Sequence, residues 1–182
     1  MNKIAIVSAK RTPIGRFRGK LSDYSAVELG TTALKAALDE VNINPNEIEQ
    51  VIFGNVLQSG SGQNPARQIG INSGIPNTTP AMTINEVCGS GLKSIILGKQ
   101  LIQLGEAKVV AVGGVESMTN APKLLLNGDE SPVDSFMHDG LTDAFHHVPM
   151  GVTAEKIAQK YNVTREPVSY THLRAHETRG NL

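Results

Sequence analysis

Short β-branched runs alternate with stretches of helical spacing along the first two thirds of the chain, and that alternation most narrows the folds open to it. Residues 4–7, 51–56, 81–84 and 108–115 read as strands. After the first, Ser25-Ala-Val-Glu28 is a capping box: the Ser hydroxyl accepts from the backbone at Glu28 and the Glu carboxylate reaches back, so a helix starts there. Val27, Thr31, Leu34, Leu38 and Val41 step by four and three, the stripe of a helix lying on a sheet, and the helix ends near Val41. Asn64-Pro65 supplies a cap and first-turn proline for a second helix over residues 66–73. A third runs from Gly91 to about Leu104, with Leu92, Ile95, Ile96, Lys99 and Ile102 on one side. The order β-α-β-α-β-α-β implies a layered α/β unit with parallel strands, residues 4–7 forming a buried first strand and the apolar run 108–115 the sheet's centre.

Composition agrees and excludes several roles. With 182 residues the chain holds one substantial domain or part of a larger one. Eighteen glycines and only 4% aromatics suit a glycine-punctuated α/β chain better than a β-sandwich. Lys+Arg and Asp+Glu both number 17 and no stretch gathers like charges, which argues against a nucleic-acid groove or an anionic-membrane face. A single cysteine cannot close a disulfide, and the first residues lack the apolar region of a signal peptide, so a reducing, cytoplasmic setting is expected. No apolar run approaches the ~18 residues of a membrane-spanning helix.

The segment Asn85-Glu-Val-Cys88-Gly-Ser-Gly91-Leu-Lys93 falls where a strand hands over to a helix. Cys88 would sit at the helix start, where free N–H groups and the positive dipole end favour a thiolate. Gly89 and Gly91 clear side chains from around it, so that a bulky thioester can approach, and Ser90 would cap the turn. A helix terminus is worth about 0.3–1 kcal/mol, ~2 at most, which lowers a thiol of pKa ~8.5 by about 1.5 units at best. A base, most often His, must do the rest. On the residues alone, an activated nucleophile and an ordinary buried thiol both stay open. His138, His146 and His147 fall in a polar, aperiodic stretch, residues 120–148, read as a functional loop or lid; each suits a surface or capping role better than that of the base. Gly60-Ser-Gly62 and Gly89-Ser-Gly91 lack the third glycine of a dinucleotide fingerprint, and no Walker loop occurs. His172-Leu-Arg-Ala-His176 has zinc-compatible spacing but no further ligand, so no metal is expected. Lys10, Arg11, Arg16, Arg18 and Lys20 suit a solvated face; spacing does not decide whether they meet phosphates.

Five motifs in order, Ser8-Ala-Lys-Arg-Thr-Pro-Ile-Gly15, Gly54-Asn-Val-Leu-Gln58, Gly62-Gln-Asn-Pro-Ala-Arg-Gln68, Asn85-Glu-Val-Cys88-Gly-Ser-Gly-Leu-Lys93 and Gly113-Gly-Val-Glu-Ser-Met118, closely resemble the acetyl-CoA acetyltransferase and 3-ketoacyl-CoA thiolase family. Asp139-Gly-Leu-Thr-Asp-Ala-Phe145 and Met150-Gly-Val-Thr-Ala-Glu155 continue the match, which covers residues 3–166. The resemblance implies the N-terminal half of a thiolase-like α/β/α fold, with no covalently bound cofactor and with coenzyme A thioesters as substrates. Cys88 would attack an acyl-CoA or acetyl-CoA and hold the acyl group, its own N–H serving the oxyanion hole. Leu141 and Met150 fall where family members line the pantetheine and acyl pocket. Residues 63–68 fall near the family's dimer contact, so the full-length protein is expected to be a homo-oligomer, a dimer or a dimer of dimers. Pro149 stands where biosynthetic members often carry a His that contacts coenzyme A.

The chain also departs from the family. Its activating His, its Asn-held water and its second cysteine belong to motifs that do not occur here, so the chain as given is expected to show no appreciable turnover. After Glu166 the family pattern gives way to a segment that looks foreign. The expected organisation is therefore a core over residues 1–119, a loop region of the same domain over 120–166, and a non-family tail over 167–182 in which His172 and His176 have no function. Two other readings compete. One is a ketoacyl synthase, which shares the nucleophile's place but not Gln-Asn-Pro-Ala-Arg-Gln; the other is a non-catalytic fragment in which Cys88 is structural. A half-sheet with apolar helices would also expose hydrophobic surface in isolation.

Overall fold

The computed structural model describes residues 3–177, with side chains as far as residue 171. The capping box forms as read: Ser25 Oγ accepts from Glu28 N and the Glu28 carboxylate accepts from Ser25 N, which starts helix α1 (Ala26–Val41). Asn42, at φ 51°, closes it in a left-handed cap. Val27, Leu34 and Leu38 are the buried part of its stripe.

Strand β1 (Gln50–Gly54) follows a short 3₁₀ turn at Pro45–Glu47. Helix α2 (Pro65–Asn72) is capped by the Asn64 side chain, and β2 (Ala81–Ile84) matches its expected bounds. Helix α3 (Ser90–Leu104) ends at Gly105, whose φ of 78° closes the turn, and β3 (Val110–Gly114) completes a three-stranded parallel sheet of order β2-β1-β3. The register sets Gly54 opposite both Ile84 and Gly114, so the three strands end level at their carboxyl edge. The core lies where α1 and α2 meet β1, around Val51, Phe53, Ala66 and Ile69.

Two expectations are corrected. Residues 4–7 form no strand: Ile6 is 74% and Val7 62% exposed. A strand needs a partner for its N–H and C=O groups, and among the described residues this segment pairs with none; residues 8–17 and β3 instead line a cavity of about 700 Å³. Nor is β3 the centre of the sheet, since β1 pairs on both sides and β3 on one. In α3 the stripe that includes Leu92, Ile95 and Ile96 is exposed, and the buried residues are Ser90, Ser94 and Gly98. Small residues let helix and sheet approach closely: a Cβ on Gly98 would lie 2.7 Å from Val112, and Ser94 Oγ donates to the Gly113 carbonyl at 2.8 Å.

Beyond β3, a two-stranded ladder of β4 (Lys123–Leu124) and β5 (Val133–Asp134) and a π-helical turn at Phe136–Leu141 occupy much of the stretch read as a loop. Helices α4 (Met150–Tyr161) and α5 (Arg165–Glu177) follow. The chain divides into two compact units, Met1–Gly140 and Leu141–Leu182. Among the described residues no helix is long and apolar enough to cross a membrane.

Candidate active site

Cys88 lies on the turn from β2 to α3, at the carboxyl edge of the parallel strands, and is exposed. It stands one residue before the N-cap Gly89 rather than inside the helix. Several bonds shape the turn. Asn85 Oδ1 accepts from Val87 N at 2.9 Å, Gly89 N donates to the Glu86 carbonyl at 3.0 Å, and Ser90 N donates to the Val87 carbonyl at 3.1 Å. Ser90 Oγ accepts from Glu86 N at 2.8 Å and donates to the Val87 carbonyl at 2.6 Å. Across the turn, Glu86 pairs with Lys93 at 3.3 Å.

Val87 was missed by the sequence reading. Its φ is 50°, a left-handed conformation that a β-branched residue rarely adopts. Such a residue costs on the order of 1–3 kcal/mol and persists only where its surroundings over-determine it. Here the strain directly precedes the cysteine.

Glycines let the first turn of α3 sit on the strand ends. A Cβ on Gly54 would meet the Ser90 backbone at 2.6 Å, and one on Gly114 would meet Gly91 Cα at 3.1 Å. The packing constraint falls on Gly54 and Gly114; a Cβ on Gly91 itself would come no nearer than 4.0 Å to Gly114 Cα. Beside this contact, half-buried Glu116 accepts from Asn55 Nδ2 at 2.7 Å, Val56 N at 2.9 Å and Leu57 N at 3.2 Å. Burial pushes its carboxyl above the ordinary value, against the three hydrogen bonds, which pull it down.

The histidines are engaged locally. His138 Nδ1 pairs with Asp139 at 2.6 Å; Asp143 accepts from the backbone of Phe145 and His146, with the His146 ring 3.4 Å away. Those bonds hold the Asp143 carboxyl below its ordinary value. Within the second unit an antiparallel bridge joins Thr142 to Pro149, the residues next to Leu141 and Met150 in the chain. Met150 opens α4 and is 47% exposed. Among the described residues no three His, Cys, Asp or Glu side chains gather as metal ligands. The side chains of His172 and His176 lie outside the described residues.

A three-stranded parallel sheet layered with helices, its strands ending level beside an exposed cysteine on the β2–α3 turn, defines the class of layered α/β proteins. The sequence matches the family description "Thiolase, N-terminal domain" over residues 4–179, and the chain belongs to the thiolase family. That range passes residue 166, where the motif resemblance stops. A probable acetyl-CoA acyltransferase of Staphylococcus aureus is 47% identical over 91% of this chain and 44% of its own length. A probable acetyl-CoA acetyltransferase of Escherichia coli is 48% identical with the same coverage. Among solved structures, the Acat5 thiolase of Ascaris suum, in complex with coenzyme A, superposes with a TM-score of 0.85 at 42% identity, covering 93% of this chain and 46% of that one. The chain thus spans less than half the length of these relatives.

Proposed function

We propose that this chain is the nucleophile-bearing half of an acyltransferase acting on coenzyme A thioesters. The Cys88 thiolate adds to the thioester carbonyl carbon, the bond from that carbon to the coenzyme A sulfur breaks, and the departing thiolate takes up a proton. The acyl group stays on Cys88, and the Cys88 N–H faces the oxygen that becomes negative in between. A second acyl-CoA, deprotonated at its α-carbon, then forms a carbon–carbon bond to the acyl carbon and expels the enzyme sulfur. In reverse, a 3-oxoacyl-CoA is cleaved.

The observation that carries this reading is the exposure of Cys88 on the strained turn at the carboxyl edge of the sheet. The coenzyme A bound to the Ascaris thiolase supports the substrate class. Leu141 and Met150, which match the family positions that line the pantetheine and acyl pocket, are assigned to that pocket. The base that completes activation is assigned to the part of the relatives that this chain does not span, since the helix end supplies too little by itself. Residues 1–119 form the core of this half, residues 120–166 its loop region, and residues 167–182 take no part in the chemistry. The longer protein is expected to form a homo-oligomer.

The test is to incubate the purified chain with acetyl-CoA and with iodoacetamide separately and to map the modified peptide. Modification at Cys88 faster than in the denatured chain is expected. Iodoacetamide labelling no faster than that of a free thiol would sink the activated-nucleophile reading. Steady acetoacetyl-CoA cleavage by this chain alone would overturn the expectation that it does not turn over.

A further inference from the structure

The carboxyl ends of β1, β2 and β3 meet at one buried junction. Asn55 is fully buried; its backbone N–H donates to the Ile84 carbonyl at 3.0 Å, at the end of the strand that leads into Asn85-Glu-Val-Cys88. Its side-chain Nδ2 donates to the Val115 carbonyl at 3.2 Å and to Glu116 at 2.7 Å. Two acceptors on one nitrogen fix the amide's orientation. Glu116 also accepts from Val56 N and Leu57 N, which pins the chain leaving β1 to the chain leaving β3. The strand ends joined in this way, Gly54 and Gly114, are the ones on which Ser90 and Gly91 rest without an intervening side chain.

We infer that Glu116, acting through Asn55, is a positioning residue for Cys88: it holds the strand ends level so that the first turn of α3 and the strained Val87 keep the sulfur in place. The inference rests on Cys88 being the nucleophile. Val87 would relax if its support moved, because a left-handed β-branched residue persists only under constraint. The carboxylate is kept in this junction although burial disfavours its charge, as the upward push on its carboxyl indicates. Three converging N–H donors are what a carboxylate offsets and a neutral side chain does not.

The test follows iodoacetamide alkylation of Cys88 in the 182-residue chain, folded and denatured, across pH, for wild type, Glu116→Gln and Asn55→Ser, with thermal melts in parallel. Glu116→Gln keeps the shape but turns an NH₂ toward backbone donors. In the folded variant the rate at neutral pH is expected to fall about threefold, the scale of a helix-terminus contribution, and the rate–pH profile to move to higher pH. Loss of a nearby negative charge alone would move the profile the other way, so the direction separates positioning from charge. Should Glu116→Gln fail to fold, Asn55→Ser is expected to give the same fall. A folded variant that keeps the wild-type profile, or reacts faster, overturns the positioning role while leaving the nucleophile intact. A wild type no faster folded than denatured defeats instead the reading of Cys88 itself.

Discussion

Glu116 shows how a single titrating side chain reports on the fold. Burial is the largest influence on its carboxyl and raises it above the unfolded value, near 4.5. A folded-state value above the unfolded one means that the folded chain binds a proton that the unfolded chain has released. The group's contribution is therefore greatest below the unfolded value and falls as pH rises through the raised folded one. Glutamine does not titrate. Urea unfolding from about pH 4 to about pH 7 is expected to show wild type losing stability relative to Glu116→Gln as pH rises; a difference independent of pH would refute the assignment. At this scale Cys88 was legible, because the glycines around it and the change from strand to helix spacing are local signals. Val87 and Glu116 were not: Val87 is an ordinary strand former whose positive φ is imposed by its neighbours, and Glu116 meets partners some 60 residues away.

Among the elements, α1 and α3 teach different lessons. The start of α1 is written into four residues, and removing the cap by Ser25→Ala is expected to cost about 1 kcal/mol, read as a lower denaturant midpoint at unchanged slope. An unaltered midpoint would mean that tertiary packing alone fixes that end. In α3 the apolar spacing marks the stripe that stays exposed, and the sheet takes the small face instead. Hydrophobic periodicity reports which face avoids water, but close approach to a sheet selects Ser94 and Gly98. Leucine at position 98 is expected to destabilise by roughly 1–3 kcal/mol through overpacking against Val112.

For the molecule as a whole, the exposed Leu92, Ile95 and Ile96 of α3 form apolar surface of the kind that seeks a partner. The chain is expected to self-associate and to bind a hydrophobic dye when native; a monodisperse, dye-free sample with a sharp melt would contradict this. The sequence by itself determined the α/β alternation, the extent of α1 and β2, and the cysteine on a strand-to-helix turn, because each rests on signals within one turn or one strand. Only the tertiary structure decided that β1 is central, that residues 4–7 pair with no strand among the described residues, and that Asn55 and Glu116 join the chain leaving β1 to the chain leaving β3. Those outcomes depend on which distant groups satisfy one another's hydrogen bonds, and no local pattern carries that information.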